Sequence, residues 1–190
     1  MREAKAAPKR IAIAYHPKLA EAPYKAAEVC QALQEQHFNA YECGSLYDEA
    51  FRERIKAGEF DLMIALGGDG TMLRAGHLCA PLNIPIMGIN VGHFGFLVEL
   101  RNDQWRQMLP RLLAGAFRLE ERFMLRAEHY CQGQKMGEWD VINEVAVCRG
   151  KYVRPIHLKA SVDSYPLSNY VADGLIAATP TGSTAYALAV

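Results

Sequence analysis

Three stretches of the chain are apolar almost without a break: "RIAIAYH" (10–16), "FDLMIAL" (60–66) and "IPIMGIN" (84–90). A strand that is covered on both faces reads this way, without the polar alternation of a half-solvated one. "NAYEC" (39–43) is a shorter fourth candidate. Between these runs the period changes. In "AEAPYKAAEVCQALQEQHF" (20–38), Ala26, Val29, Cys30 and Leu33 fall on one stripe of a helix. "SLYDEAFRERIKAG" (45–58) is predicted as a helix with Ser45 as N-cap and Gly58 as stop, and "TMLRAGHLCAPL" (71–82) as a short helix. Strands alternating with helices predict an open, parallel, Rossmann-like α/β sheet.

After "GHFGF" (92–96) the pattern is different. "NDQWRQMLPRLLAG" (102–115) reads as a helix interrupted or kinked at Pro110. "RFMLRAEHY" (122–130), "WDVINEVAVCR" (139–149), "PIHLKASVDS" (155–164) and "SNYVADGLIAATP" (168–180) then follow, parted by the turn signals "CQGQKMG" and "VDSYP". Alternating and β-branched residues predict antiparallel strands here. The expected division is an α/β domain over 1–100 and a β-rich, sandwich-like domain over 101–190. The chain stops in "TAYALAV", an apolar helix-forming run without a glycine or proline stop. A C-terminally truncated chain, with the second domain incomplete, is the expectation.

Charge narrows the partners. Lys plus Arg equals Asp plus Glu at 21 each, so no basic excess points to a nucleic acid or an anionic membrane. Local basic groups must meet any phosphate ligand. Cys30, Cys43, Cys79, Cys131 and Cys148 form no C-x-x-C pair and read as reduced thiols, mostly small core residues. "MREAKAAPKR" lacks the apolar stretch of a secretory signal, and no segment approaches the roughly 20 apolar residues of a membrane span. A cytoplasmic protein is expected.

The chemistry is expected where strands end. In an open parallel sheet, ligands bind outside the carboxyl ends of the strands, and "GGDGT" (67–71) follows the third strand directly. Gly67, Gly68 and Gly70 can turn backbone N–H groups toward a phosphate and leave room for its approach. Alternatively, the segment is a tight turn in which Asp69 or Thr71 caps the next helix. It is neither a Walker A sequence nor G-x-G-x-x-G. An aspartate is an awkward neighbour for phosphate unless it accepts a proton or holds a metal. Arg74 supplies a positive charge one turn later, or is an ordinary solvated arginine. Phe94 and Phe96, flanking Gly95, offer a face to an adenine ring or belong to the core. His93 is weak evidence, because the six histidines show no H-x-H or H-E-x-x-H spacing for a metal.

Two later segments carry polar groups in apolar surroundings. Asn143 and Glu144 sit inside "INEVAV", so alternation turns one of them toward a core or a pocket. A buried carboxylate needs partners, and ribose hydroxyls are suitable ones; the other reading is a strand-edge pair in water. In "TPTGSTAY", Thr181, Gly182, Ser183 and Thr184 open an apparent helix, whose N-terminus is ready for an anion or the polar edge of a nucleotide.

Together, "GGDGTML", "GINVGHFGF", "INEVAV" and "DGLIAATPTGSTAYALA", in this order, resemble the NAD kinase family over nearly the whole chain. The resemblance implies transfer of the γ-phosphoryl group of ATP to the 2′-hydroxyl of the adenosine ribose of NAD. It implies Asp69 as the base for that hydroxyl and Gly70 against the nucleotide. Asn143 and Glu144 would contact adenosine and its hydroxyls, and Asp173 would lie toward the nicotinamide. Thr184, Ala185 and Tyr186 would line the adenine pocket with Phe96 nearby, and Arg74 and Arg154 would contact the ligand. At Ala189 many relatives carry serine, so a polar contact is lost. Gly67, Gly68, Asp69, Gly70 and Thr71 form the implied phosphate loop. Magnesium would arrive with ATP, since the sequence shows no metal cage. Relatives assemble as dimers or tetramers, which implies a homo-oligomer. Two rivals remain: a module that binds the nucleotide without turnover, and a diacylglycerol- or sphingosine-type lipid kinase, which shares only G-G-D-G-T.

Overall fold

The computed structural model describes residues 2–3, 6–92, 95–98, 100, 104–151 and 153–190. The chain divides into two units, Met1–Glu121 and Arg122–Val190. In chain order the first unit holds β1 (Arg2–Glu3), β2 (Ile11–Tyr15), α1 (Ala22–Glu35), β3 (Tyr41–Ser45), α2 (Glu49–Lys56), β4 (Leu62–Gly67), α3 (Asp69–Cys79), β5 (Ile86–Asn90), α4 (Trp105–Leu113) and β6 (Arg118–Leu119). Each apolar run is a strand of one parallel sheet in the order β3-β2-β4-β5. A short antiparallel pair, β1 with β6, lies apart from it.

Period-two alternation sends the strand residues to two separate cores. Ile11, Ile13, Ile64 and Leu66 meet Val29 and Leu33 of α1 and Trp105 and Leu109 of α4. Ala12, Ala14, Met63 and Ala65 meet Phe51 and Ile55 of α2 and Ala75 and Cys79 of α3. α4, grouped by the sequence pattern with the second domain, therefore packs in the first unit, and it runs through Pro110.

Local chemistry sets the boundaries. α2 is capped by Asp48, whose carboxylate accepts from the Phe51 amide at 3.1 Å, and not by Ser45. Ser45 is the last residue of β3, and its hydroxyl accepts from the Tyr47 amide in the turn between them. Gly58 ends that segment at φ +72°, in the left-handed region that favours glycine. α3 begins at Asp69, two residues ahead of the prediction, and finishes in a 3-10 turn over Ala80–Leu82.

From β2 the chain moves to one side, into β3, then crosses β2 to reach β4 and continues to β5. The connections after β2 and β4 therefore leave in opposite directions. Such a reversal opens a crevice at the carboxyl ends of these two neighbouring strands, where α/β sheets bind ligands.

The second unit contains β7 (Leu125–Cys131), β8 (Gln134–Val141), β9 (Glu144–Cys148), β10 (Ile156–Val162), β11 (Tyr165–Ala172) and β12 (Gly174–Ala178), in three antiparallel pairs: β7 with β8, β9 with β12, β10 with β11. Two are hairpins closed by residues at positive φ, Gln132-Gly133 and Asp163-Ser164, a geometry that matches strand twist. Only Gln132-Gly133 of "CQGQKMG" and Asp163-Ser164 of "VDSYP" are turn; the flanking residues extend the strands. Each long strand read in "WDVINEVAVCR" and "SNYVADGLIAATP" is broken, at Ile142-Asn143 and at Asp173, where the chain changes partner. The expected helix after Pro180 is a pair of 3-10 turns, Gly182–Thr184 and Tyr186–Leu188. Ser183 and Thr184 donate their hydroxyls to the carbonyls of Pro180 and Thr181, three residues back, which tightens the segment.

Candidate functional site

β4 delivers its last residue, Gly67, to the carboxyl edge of the sheet, and α3 departs two residues later. A side chain at Gly67 would stand 2.1 Å from Thr71 Oγ1, so this glycine makes room for the helix itself. Thr71 is buried beneath it, which turns the hydroxyl expected in the phosphate loop inward. Gly68 and Gly70 are different. A Cβ at either would meet nothing within 4 Å, so the bare backbone faces open space. Among the described residues, the Asp69 and Gly70 amides, first in α3, have no acceptor. That is the anion-ready end of a helix.

Asp69 occupies the first position of α3, where the helix dipole favours a negative charge. Its carboxylate reaches across to the segment after β5. Oδ2 accepts from the Phe96 amide at 3.0 Å and Oδ1 from the Leu97 amide at 2.9 Å. Each oxygen keeps a further lone pair, so the half-buried carboxylate is oriented and still able to accept. Gly95 makes this possible: a Cβ there would stand 2.1 Å from Asp69 Oδ1. Neither this clamp nor the need for glycine at 95 was legible in the sequence, because residues 69 and 95 are brought together only by the sheet. The Phe96 ring is 72% exposed and is not a core residue. His93 and Phe94 lie outside the described residues.

Asn90, at the end of β5, pairs in register with Gly67; it is buried and its Oδ1 has no partner. Arg74 is exposed on α3, and its guanidinium lies 4.7 Å from the centre of the Tyr47 ring.

In the second unit the partner change at Ile142-Asn143 sets two side chains into partly buried positions. Asn143 Oδ1 and Glu144 Oε2 are fully shielded and have no hydrogen-bond partner. A buried polar oxygen left unmade costs roughly 1–3 kcal/mol, more for a charged group. Such orphans need a partner that the chain itself does not provide. Thr179 organises their neighbourhood. It is buried, donates its hydroxyl to the Ile142 carbonyl and accepts from the Gly182 amide, and its own amide donates to the Asn143 carbonyl. Gly182 lies so close that a Cβ would be 2.1 Å from Asn143 O. "INEV" and "TPTG" are thereby joined, while Thr184, Tyr186 and Ala189 remain exposed and Ala185 is half-buried. Thr179 was read only as a strand end.

Asp173 stands at the other partner change. Its carboxylate is 2.9 Å from Arg149 Nε, and its carbonyl accepts from the Arg149 amide. Arg154 is exposed. Among the described residues no group of three His, Cys, Asp or Glu side chains is placed to hold a metal.

Comparison with known proteins agrees with this arrangement. The family model of the ATP-NAD kinase N-terminal domain matches residues 2–117, and that of the C-terminal domain matches residues 142–190. The NAD kinase of Chloroflexus aurantiacus is 38% identical over 182 residues, covering 95% of this chain and 64% of the relative. That of Symbiobacterium thermophilum is 44% identical over 131 residues, covering 69% of this chain and 46% of the relative. Among solved structures, an NAD kinase from Archaeoglobus fulgidus in complex with ATP aligns with a TM-score of 0.67 and 25% identity, over 95% of this chain and 64% of that one. Yeast NADH kinase complexed with NADH shares the fold, with a TM-score of 0.77 at 19% identity, over 97% of this chain and 61% of that one. The chain spans about half to two thirds of the length of these proteins. With both domain models matched in order on the segments that build the two clusters, the chain belongs to the ATP-NAD kinase family.

Proposed function

We propose that this chain carries the acceptor chemistry of an NAD kinase, transferring the γ-phosphoryl group of ATP to the 2′-hydroxyl of the adenosine ribose of NAD to give NADP. The observation that carries the reading is the pair of shielded, unpartnered oxygens on Asn143 and Glu144, inside the segment matched to the C-terminal domain. Ribose hydroxyls are donors of the size and polarity to satisfy them.

Phosphoryl transfer needs positioning, charge neutralisation and one oriented base. Asp69 is that base. The Phe96 and Leu97 amides hold its carboxylate, and a free lone pair accepts the proton as the hydroxyl attacks. Gly68 and Gly70 admit the phosphates to the backbone amides that open α3. Phe96, Thr184, Ala185, Tyr186 and Ala189 line the adenine side, with Asp173 toward the nicotinamide and Arg74 and Arg154 on the phosphates. Magnesium enters as part of the substrate, Mg–ATP, and the ATP complex of the Archaeoglobus fulgidus relative supports ATP as donor. A cytoplasmic location and a dimer or tetramer belong to the same proposal; five free cysteines are consistent with a reducing compartment.

The test is a dinucleotide without the nucleophile. 2′-Deoxy-NAD should bind with a loss of only about 0.5–1.5 kcal/mol, one hydrogen bond's net contribution. It should accept no phosphoryl group, and NADP should compete with NAD. Phosphate on the deoxy compound, detected by mass spectrometry, would place the reacting oxygen elsewhere. A second reading, nucleotide binding without turnover, draws on the chain's partial coverage of its relatives; it predicts NAD binding by calorimetry with no NADP formed.

A further inference from the structure

Three side chains from three different elements meet at the carboxyl edge of the sheet, beside the reversal between β2 and β4. His16 follows β2 directly, Tyr47 lies in the turn between β3 and α2, and Arg74 is on α3. The His16 and Tyr47 rings meet edge to face at 5.2 Å, and His16 Nε2 is 3.2 Å from Tyr47 Oη. The Lys18 amide donates to His16 Nδ1 at 3.1 Å, so that nitrogen carries no proton. A neutral imidazole then holds its proton on Nε2 and donates it to Tyr47 Oη. The Tyr47 hydroxyl proton is therefore directed elsewhere, and no acceptor among the described residues takes it. On the other side, the Arg74 guanidinium lies over the Tyr47 ring at 4.7 Å and pairs with no carboxylate among the described residues.

Arg74 is four residues after Gly70, on the same face of α3, and helical side chains lean toward the N-terminus. A cation without an acid partner and a hydroxyl with a spare proton thus stand beside the open backbone of Gly68 and Gly70. We infer that Tyr47 is a positioning residue of a phosphate-chain subsite: its ring holds Arg74 in place, its hydroxyl donates to a phosphate oxygen, and His16 fixes the direction of that donation. The inference rests on the phosphoryl-transfer reading above. Both ATP and NAD contain a phosphate chain, and the experiment separates them.

Tyr47→Phe keeps the ring and removes the donor, and at 45% exposure Tyr47 tolerates the change without loss of fold. Tyr47→Ala removes both functions, and His16→Ala leaves the hydroxyl undirected. Steady-state KM values for ATP and for NAD are measured separately, with calorimetric titration of inorganic tripolyphosphate as a readout independent of turnover. A donor to a charged oxygen is worth about tenfold or more in affinity, so Tyr47→Phe should weaken tripolyphosphate binding by roughly that factor. Tyr47→Ala should add about two- to fivefold through the lost cation–π contact, and His16→Ala should have a smaller effect of the same sign. A selective rise in KM for ATP assigns the subsite to the phosphoryl donor, and a selective rise for NAD to the dinucleotide. Tripolyphosphate binding that depends on Tyr47 in a chain making no NADP would uphold the subsite and refute the kinase reading. Unchanged tripolyphosphate binding and unchanged KM values in Tyr47→Phe would overturn the inference.

Discussion

The two units handle polar groups in opposite ways. In the first, a four-stranded sheet is covered on both faces, and every buried hydrophobic side chain among the described residues lies at or before Leu112. Its key acid, Asp69, is tied to two backbone amides. The second consists of two-stranded ribbons, which are marginal by themselves, and its large apolar side chains such as Phe123, Leu167 and Val171 are well exposed. Its key polar atoms, Asn143 Oδ1 and Glu144 Oε2, are shielded and unpaired. The difference teaches a division of labour. The first unit supplies a preorganised acceptor from its own packing, and the second leaves an unmet demand that a ligand fills.

Breaking the first half of that contrast should have the largest effect. Asp69→Asn should preserve the fold and lower turnover by roughly 10²–10⁴-fold, the contribution of a positioned general base. Steady-state NADP formation measures it, and near-normal turnover would remove Asp69 from the chemistry. Gly95→Ala attacks the same group from behind. A methyl 2.1 Å from Oδ1 must displace the carboxylate, and a misplacement near 1 Å costs about 100-fold in rate. Turnover at the normal level would show that the loop yields instead.

Stability should divide along the same line. Leu66→Ala, in a fully buried β4 position, should cost about 2–5 kcal/mol in denaturant unfolding. Val171→Ala, at a 65% exposed ribbon position, should stay within about 0.5 kcal/mol. Equal losses would end the distinction between the units. Glu144→Ala should weaken NAD by about 1.5–3 kcal/mol, the range for a hydrogen bond to a charged group, and unchanged affinity in calorimetry would return it to a strand-edge role.

Thiol labelling gives the gentlest probe. Cys79 is fully buried, and burial pushes its thiol up to about 12. Reaction requires the thiolate, so Cys79 should label only on unfolding, whereas the exposed Cys131 and Cys148 should label in the native chain. Native labelling at Cys79, mapped by peptide mass, would mean that the first unit opens readily.

Much of the molecule was legible in its residues. Unbroken apolar runs can be satisfied only by strands covered on both faces, so the parallel sheet followed from "RIAIAYH", "FDLMIAL" and "IPIMGIN". Glycines around one acid at a strand end located the loop, and four ordered motifs carried the family. What the sequence did not determine was which distant groups would meet. Strand pairing is a long-range choice, and local pattern does not record it. Thus "WDVINEVAVCR" and "SNYVADGLIAATP" read as single strands, while the fold changes their partners at Asn143 and Asp173 and leaves functional side chains at the breaks. Likewise Ser45 and Asp48 are both good caps, and only the packing of Phe51 and Ile55 settled which one begins α2. Gly95 beneath Asp69, Gly182 against Asn143 and Tyr47 under Arg74 are contacts between residues far apart in the chain. The sequence named the chemical groups; tertiary structure decided their neighbours, because proximity across a sheet depends on topology and register rather than on local residue pattern.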